Sequence, residues 1–294
     1  MNLTEIAGAV KTLTRPKNRF VICVYGDAKT GKTELAGTIA KVPWVTKVHW
    51  FDLENGSETL IRMVLDGKLT PEEGAKIIVY KIPDSKQIPM AMETMMKVLT
   101  VHKDLTICEL HGRVSCVECA DKNGTTITKL NGQPFNIAKL TEDEVVVIDT
   151  GSQLADSILN YYMTKNANTG KPGWDEYGPQ GLDLSNAGQV MQSGIANFIM
   201  ITHTLTVDVK ENDETREAIY PLVGTKNMCK KFGKYFGHVI YLHKKLNMHK
   251  AGSSSTYQPN VVTGSRAGWL IEQDKELDFA KLFAKIGLSK TAKN

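Results

Sequence analysis

The stretch YGDAKTGKTELAG, residues 25–37, decides the fold. It is entered from FVICVY, residues 20–25, an apolar and β-favouring run that reads as a buried strand. Residues 32–41 then read as a helix. The spacing G-x-x-x-x-G-K-T is met at Gly26, Gly31, Lys32 and Thr33. A glycine-rich turn between a strand and a helix lets main-chain N–H groups surround phosphate oxygens, and the helix presents its positive end to them. Gly26, Asp27, Ala28, Lys29, Thr30, Gly31, Lys32 and Thr33 are therefore the expected contacts of a nucleoside triphosphate, with ATP as the expected cofactor. Lys32 is expected to reach the β and γ phosphates, and Thr33 to ligate Mg²⁺.

Working outward, the most strand-like segment is EVVVIDT, 144–150. Four apolar residues end in Asp149, the arrangement of a carboxylate that holds Mg²⁺ beside a phosphate loop. KVHWFDLE (47–54), AKIIVYKIP (75–83) and NFIMITHT (197–204) read as further strands, with helices expected over 85–101, 154–163 and 181–196. Continuously apolar strands alternating with helices predict an α/β fold with a mostly parallel central sheet covered on both faces. GHVIYLHKKL (237–246) and STYQPNVVTG (255–264) read as antiparallel strands near the end, followed by an amphipathic helix at about 276–287. Residues 164–178 read as a polar loop and 205–224 as a mobile one.

Composition sets bounds on the rest. The chain has 294 residues, 41% hydrophobic and 23% charged, with a net charge of +4. These are values of a soluble globular protein. No apolar run reaches the roughly 20 residues of a membrane span, and MNLTEIAGAVKTLTRPKNRF does not read as a signal peptide. A mildly basic balance permits nucleic-acid binding without requiring it. Five cysteines, an odd number, point to a reducing, cytoplasmic setting and not to a disulfide framework.

Three of those cysteines fall in CELHGRVSCVEC. Cys108, His111, Cys116 and Cys119 form a C-x₂-H-x₄-C-x₂-C array, which can wrap one tetrahedral Zn²⁺. The surrounding residues 104–140 are poor in large apolar side chains, so a structural zinc ion would organise this insertion in place of a core. His102 is a substitute ligand, and GTTITKLNGQPFNI, 124–137, reads as a hairpin completing a small zinc-ribbon-like unit.

The residue after Asp149 is Thr150, so a glutamate that activates water must come from elsewhere. Asp52 and Glu54, at the end of the second strand, face the crevice at the carboxyl ends of the sheet. In the order GDAKTGKT, FDLE, VVVIDT and a strand ending MITH, the chain resembles the RecA-like recombinase core. It resembles in particular the short RecA-like ATPases of phage recombination modules, sometimes called single-strand annealing proteins. The resemblance covers roughly 18–270 outside 104–140. It implies that Glu54, in its D-x-E setting, is the catalytic glutamate, that His203 senses the γ-phosphate, and that Arg266 in VVTGSRAGW is a basic finger acting across a subunit interface. Lys32 and Asp149 complete the implied catalytic set. The implied organisation is an N-terminal segment (1–17), a RecA-like ATPase core (18–275) carrying the zinc insertion (104–140), and a C-terminal helix with a basic tail (276–294).

The resemblance also implies partners. Single-stranded DNA is expected on the segments 164–178, with Lys165, Lys171, Trp174 and Tyr177, and 205–224, with Lys210 and Arg216 amid four acidic residues. A homo-oligomeric ring or filament is implied, with a single-strand-binding or other recombination protein as a further partner, no membrane, and the host cytoplasm as the location of a phage-encoded chain. Four readings remain open: an ATPase of recombination, annealing, repair or replication; a helicase-like or packaging motor; a nucleotide-gated DNA-binding module with negligible hydrolysis; and a nucleotide or small-molecule kinase, for which no arginine-rich lid stands out.

Overall fold

The computed structural model describes residues 19–116, 119, 133–194, 196–211, 214–245, 248–252, 261–265 and 278–285. In chain order the strands are β1 (Val21–Gly26), β2 (Lys47–Asp52), β3 (Ile77–Lys81), β4 (Leu105–Ile107), β5 (Gln133–Phe135), β6 (Glu144–Asp149), β7 (Asn197–Glu211), β8 (Glu214–Leu222), β9 (His238–Lys245), β10 (Met248–Gly252) and β11 (Gly264–Ser265). The helices are α1 (Lys32–Gly37), α2 (Glu58–Leu65), α3 (Pro71–Ala75), α4 (Met90–Thr100), α5 (Gly151–Lys165), α6 (Trp174–Ser193), α7 (Lys226–Phe232) and α8 (Phe279–Lys285). No described helix is long and apolar enough to cross a membrane.

One sheet runs β10-β9-β1-β7-β6-β2-β3, with β11 also on β9 and β8 on β7. The strands from β9 to β3 are parallel to their neighbours, while β8, β10 and β11 pair antiparallel. The strand that enters the phosphate loop and the strand that ends in Asp149 are separated by β7 alone. Period-2 alternation explains why these strands are apolar throughout. Val146 and Ile148 face a layer with Met95, Leu99, Leu154, Leu184 and Met191 from α4, α5 and α6. Val145 and Val147 face the opposite layer, with Leu35, Ile39, Leu60 and Met63. Within that second layer α8 packs Phe283 on Phe20 and Trp44, at ring-centroid distances of 5.1 and 6.1 Å. The main-chain N–H of Phe279 donates to Thr38 Oγ1 at 2.9 Å.

Register then sets the site. Asp52 lies opposite Asp149, Asp149 opposite Ile201, and Tyr25 opposite Thr202. The carboxyl ends of β1, β6 and β2 and the middle of β7, at Ile201–His203, therefore form one row along the same cleft.

Several expectations are corrected. Residues 205–224 are not a mobile loop: β7 continues to Glu211 and pairs with β8 from His203–Leu222 to Glu211–Glu214. The charges there conceal a strand alternation, with half-buried Leu205, Val207 and Val209 between exposed Thr206, Asp208 and Lys210. The polar segment 164–178 is mostly helix at its ends, and the connection is only 166–173, because α6 starts seven residues earlier than expected. Glu176 Oε2 accepts from the Gly173 N–H at 2.7 Å and caps that start, and the helix runs on through Pro179. The antiparallel partners of β9 are Met248–Gly252, a stretch that did not read as a strand, and Gly264–Ser265, while most of the strand expected at 255–264 lies outside the described residues. The hairpin expected at 124–137 lies mostly outside the described residues, and its end, β5, pairs with β4.

Candidate nucleotide site and candidate metal centre

The phosphate loop is shaped by close approach. A Cβ on Gly26 would stand 2.3 Å from the Leu242 carbonyl oxygen, so only glycine lets β1 turn beside β9. Lys29 and Gly31 hold left-handed backbone at φ 62° and 87°. Lys32 is buried, and its Nζ donates to the carbonyl oxygens of Gly26 at 2.9 Å and Asp27 at 2.7 Å. Burial pushes its pKa down, opposed by the charges of Asp149, Glu54 and Asp27. Its ammonium is thus folded onto the rim of its own loop, with carboxylates across the cleft.

Thr33 Oγ1 donates to Asp149 Oδ2 at 3.0 Å. Asp149 is 2% exposed, and burial raises its carboxyl to about 7; Asp52 and Glu54 add to the rise, while the Thr33 hydrogen bond and Lys32 oppose it. A hydroxyl and a costly carboxylate side by side are hard oxygen donors, the chemistry that Mg²⁺ takes. A Cβ on Gly56 would come within 2.8 Å of Asp149 Oδ2, so the glycine leaves that face of the carboxylate open. Thr33 and Asp149 fit a magnesium ion, and the cleft they share with Lys32, Glu54 and His203, about 360 Å³, is within the range of ligand pockets.

The two acids after β2 separate in role. Asp52 is buried and accepts from the main-chain N–H groups of Gly56 at 2.8 Å and Ser57 at 3.0 Å, which fixes the turn into α2. Glu54 faces the cleft, with 30% of its side chain exposed. Its Oε1 accepts from Thr150 Oγ1 at 2.6 Å, and its Oε2 lies 3.1 Å from His203 Nε2. Burial pushes the Glu54 carboxyl up, but the bonds from His203 and Thr150 and the charges of His203 and Lys32 outweigh it and hold it below the usual range. Glu54, Thr150 and His203 are thus one hydrogen-bonded group opposite Lys32. Arg266 lies outside the described residues.

Sequence reasoning missed the supporting residues. Thr150 both caps α5, accepting from the Gln153 N–H at 3.1 Å, and fixes Glu54. Thr204 donates to Asp27 in the phosphate loop. Gly56 guards the open face of Asp149. The N-cap signal in DTGSQ was readable; the contacts across the sheet were not.

A second cluster lies beyond β4. Cys108, His111, Cys116 and Cys119 bring their ligand atoms within 4.8 Å of one another. Cys108 Sγ is 3.2 Å from Cys119 Sγ, and His111 Nδ1 is 3.4 Å from Cys116 Sγ and 3.3 Å from Cys119 Sγ. Ligands at tetrahedral zinc distances stand about 3.7 Å apart, so the four residues fit such an ion. His102 is not in the cluster. Burial pushes the Cys108 thiol up, but bonds from Cys119, from the main chain of His111 and Leu110, and from the His111 ring bring it down to about 7. Gly112, at φ 63°, sits where a Cβ would be 2.6 Å from the Lys81 carbonyl oxygen, and its own carbonyl accepts from Thr94 Oγ1 at 2.7 Å. The ligand turn is therefore seated on β3 and α4.

Among solved structures, the chain is similar to a RadB recombinase, at 16% identity over 79% of each chain with a TM-score of 0.37. It is also similar to an ATPase from the type III secretion system of pathogenic bacteria, at 11% identity over 84% of this chain and 57% of that one, with a TM-score of 0.44. No curated protein matches. Residues 18–267 match the AAA domain family, a span that contains the phosphate loop, Glu54, Asp149 and His203. With its glycine-rich loop, buried carboxylate and mostly parallel sheet, the chain belongs to the AAA domain family and is a P-loop ATPase.

Proposed function

We propose that this ATPase acts on single-stranded DNA in phage recombination, annealing, repair or replication, and that nucleotide state controls its grip on DNA and its assembly into a ring or filament. The observation that carries the reading is the bonded group Glu54–Thr150–His203, set across the cleft from Lys32 at the root of the β7–β8 arm.

The roles follow from position. Main-chain N–H groups of Gly26–Thr33 and the Lys32 ammonium hold the polyphosphate. Thr33 and Asp149 hold Mg²⁺, which when bound neutralises charge on the phosphate oxygens. Glu54, ionised and facing the cleft, orients the attacking water. His203 shares its Nε2 proton with Glu54 and stands at the first pair of the β7–β8 arm, so a change at the γ-phosphate position alters the root of the arm. Arg266 is assigned by the resemblance alone, as a basic finger acting from a neighbouring subunit.

DNA is placed on two surfaces. The arm extends eight residues beyond His203, about 25 Å, and carries Lys210 and Arg216. The connection 166–173 stands roughly 22 Å along α5 from Asp149. It carries Lys171 and is flanked by Lys165, half-buried Tyr177 and Trp174, whose 85% exposure is that of a stacking platform and not of a core residue. The arm is the surface directly tied to the nucleotide site. Cys108, His111, Cys116 and Cys119 hold a structural Zn²⁺.

The test is ATP hydrolysis with and without single-stranded DNA. DNA is expected to raise the rate, and Glu54→Gln to lower it about a hundredfold while ATP still binds. DNA affinity should fall steeply with salt. Equal rates with and without DNA, together with no salt-dependent DNA binding, refute the DNA reading and leave the ATPase.

A further inference from the structure

At the first rung of the β7–β8 arm, the paired residues His203 and Leu222 are joined through a third. The Ser152 hydroxyl accepts from the His203 main-chain N–H at 2.9 Å and donates to the Leu222 carbonyl oxygen at 2.7 Å. Ser152 is 5% exposed and is the second residue of α5. A hydroxyl at a helix start usually caps its own helix, but Thr150 already does that, so Ser152 is left for the arm. Gly151 permits the close approach: a Cβ there would lie 2.6 Å from Met200 Sδ.

Four consecutive residues thus divide the site among them. Asp149 meets Thr33, Thr150 meets Glu54, Gly151 makes room, and Ser152 fixes the main chain of His203, whose ring returns to Glu54. A single hydroxyl is both donor and acceptor, which suits it to hold two strands at once. Removing it leaves an amide and a carbonyl without that partner, or lets the strands shift to meet each other; either moves His203 off Glu54.

We infer that Ser152 is a positioning residue: it sets the His203 imidazole on Glu54 and makes the arm and the water-orienting carboxylate move together. The inference rests on the roles proposed above for Glu54 and His203. It assigns no phosphate or metal contact to Ser152, so it predicts a loss in kcat and not in KM.

The experiment is steady-state ATP hydrolysis by the full-length protein carrying Ser152→Ala, Ser152→Thr, His203→Ala, and Ser152→Ala with His203→Ala. Ser152→Ala is expected to lower kcat at least about tenfold, with the KM for ATP within about twofold. Ser152→Thr, which keeps the hydroxyl, restores most of the rate. In the His203→Ala background, Ser152→Ala costs nothing further, because both changes break one device. If Ser152→Ala does not fold, Ser152→Cys, similar in size and a weak hydrogen-bonding group, takes its place with the same expectation. A full rate for Ser152→Ala beside a slow His203→Ala, or losses that multiply in the double variant, overturns this inference alone. A full rate for His203→Ala overturns the reading of the site and this inference with it.

Discussion

The nucleotide cleft and the Cys₃His cluster are both small groups of polar side chains, yet they are built by opposite means. The cleft gathers Asp27 and Thr204 across 177 positions of sequence, and Glu54 and His203 across 149. Asp27 and Glu54 follow the carboxyl ends of β1 and β2, while His203 and Thr204 lie within β7, just past the residues that it buries in the two apolar layers. The cluster takes all four ligands from Cys108–Cys119, and its buried sulfurs form a group apart from both layers. One site is positioned by the core of the molecule; the other has no core of its own and is held by its ligand set, by Gly112 on β3, and by Ile107 and Val114, which reach the first apolar layer beside the ligands. Ligand loss should therefore leave the first site standing and undo the second.

The largest effect that tests this contrast is expected from Lys32→Ala. It removes the one ammonium in the phosphate loop that faces the Asp149 and Glu54 carboxylates. ATP affinity should fall about a hundredfold or more, with turnover lost, while bound metal at the cluster and the melting transition stay as they were. Equilibrium binding of labelled ATP beside metal analysis reads both. If affinity holds, the cleft is not the nucleotide site.

The reciprocal change is Cys116→Ser, or chelation. Bound zinc should fall from about one per chain to none, and exchange protection should drop around Cys108–Cys116 because the ion substitutes for a core there. ATP affinity should change less than about threefold. Hydrogen exchange with and without chelator checks it. Protection loss spreading to β6 would show that the two sites are not independent.

The same contrast explains what could be read from sequence. The phosphate loop, Asp149 and the Cys₃His array are each contiguous, and each residue type follows from local chemistry, so their positions were legible. The parallel sheet was legible because strands buried on both faces are apolar throughout. The arm was not, since its outer half is solvated and its alternation is masked by Asp208, Lys210, Arg216 and Glu217. The start of α6 was hidden by Gly178 and Pro179, which read as a break but lie inside a helix capped by Glu176. Ser152 and Thr204, and Thr150 in its bond to Glu54, act through contacts with distant parts of the chain, which no spacing encodes. Asp52 and Glu54 looked equivalent two residues apart; strand geometry turns one into the wall and the other into the cleft.

A smaller effect sharpens how the cleft holds its ion. Gly56→Ala places a methyl group 2.8 Å from Asp149 Oδ2 and 3.6 Å from Thr33 Oγ1, the two groups proposed to hold the ion. Mg²⁺-dependent ATP affinity should weaken about tenfold, while affinity measured in EDTA is unchanged. Equal losses in both conditions would mean that the substitution disturbs the loop and not the ion.

The smallest expected effect comes from protons. Burial raises the Asp149 carboxyl to about 7, against 3.8 for an ordinary aspartate. Without an ion, the folded chain therefore keeps a proton that the unfolded chain releases, and Asp149 costs stability progressively as pH rises from about 4 to about 7. A divalent ion must displace that proton below pH 7 and finds the carboxylate ready above it. Between pH 8 and pH 6.5, Mg²⁺ affinity should fall about fourfold, with proton release on binding at the lower pH. Added Mg²⁺ should raise the melting temperature more at pH 8 than at pH 6. Calorimetry in two buffers of different ionisation enthalpy counts the proton directly. The cluster supplies the control: Asp149→Asn should abolish the pH-dependent Mg²⁺ effect and leave metal at Cys108, Cys116 and Cys119 untouched, because only the cleft draws its charge penalty from the core of the sheet.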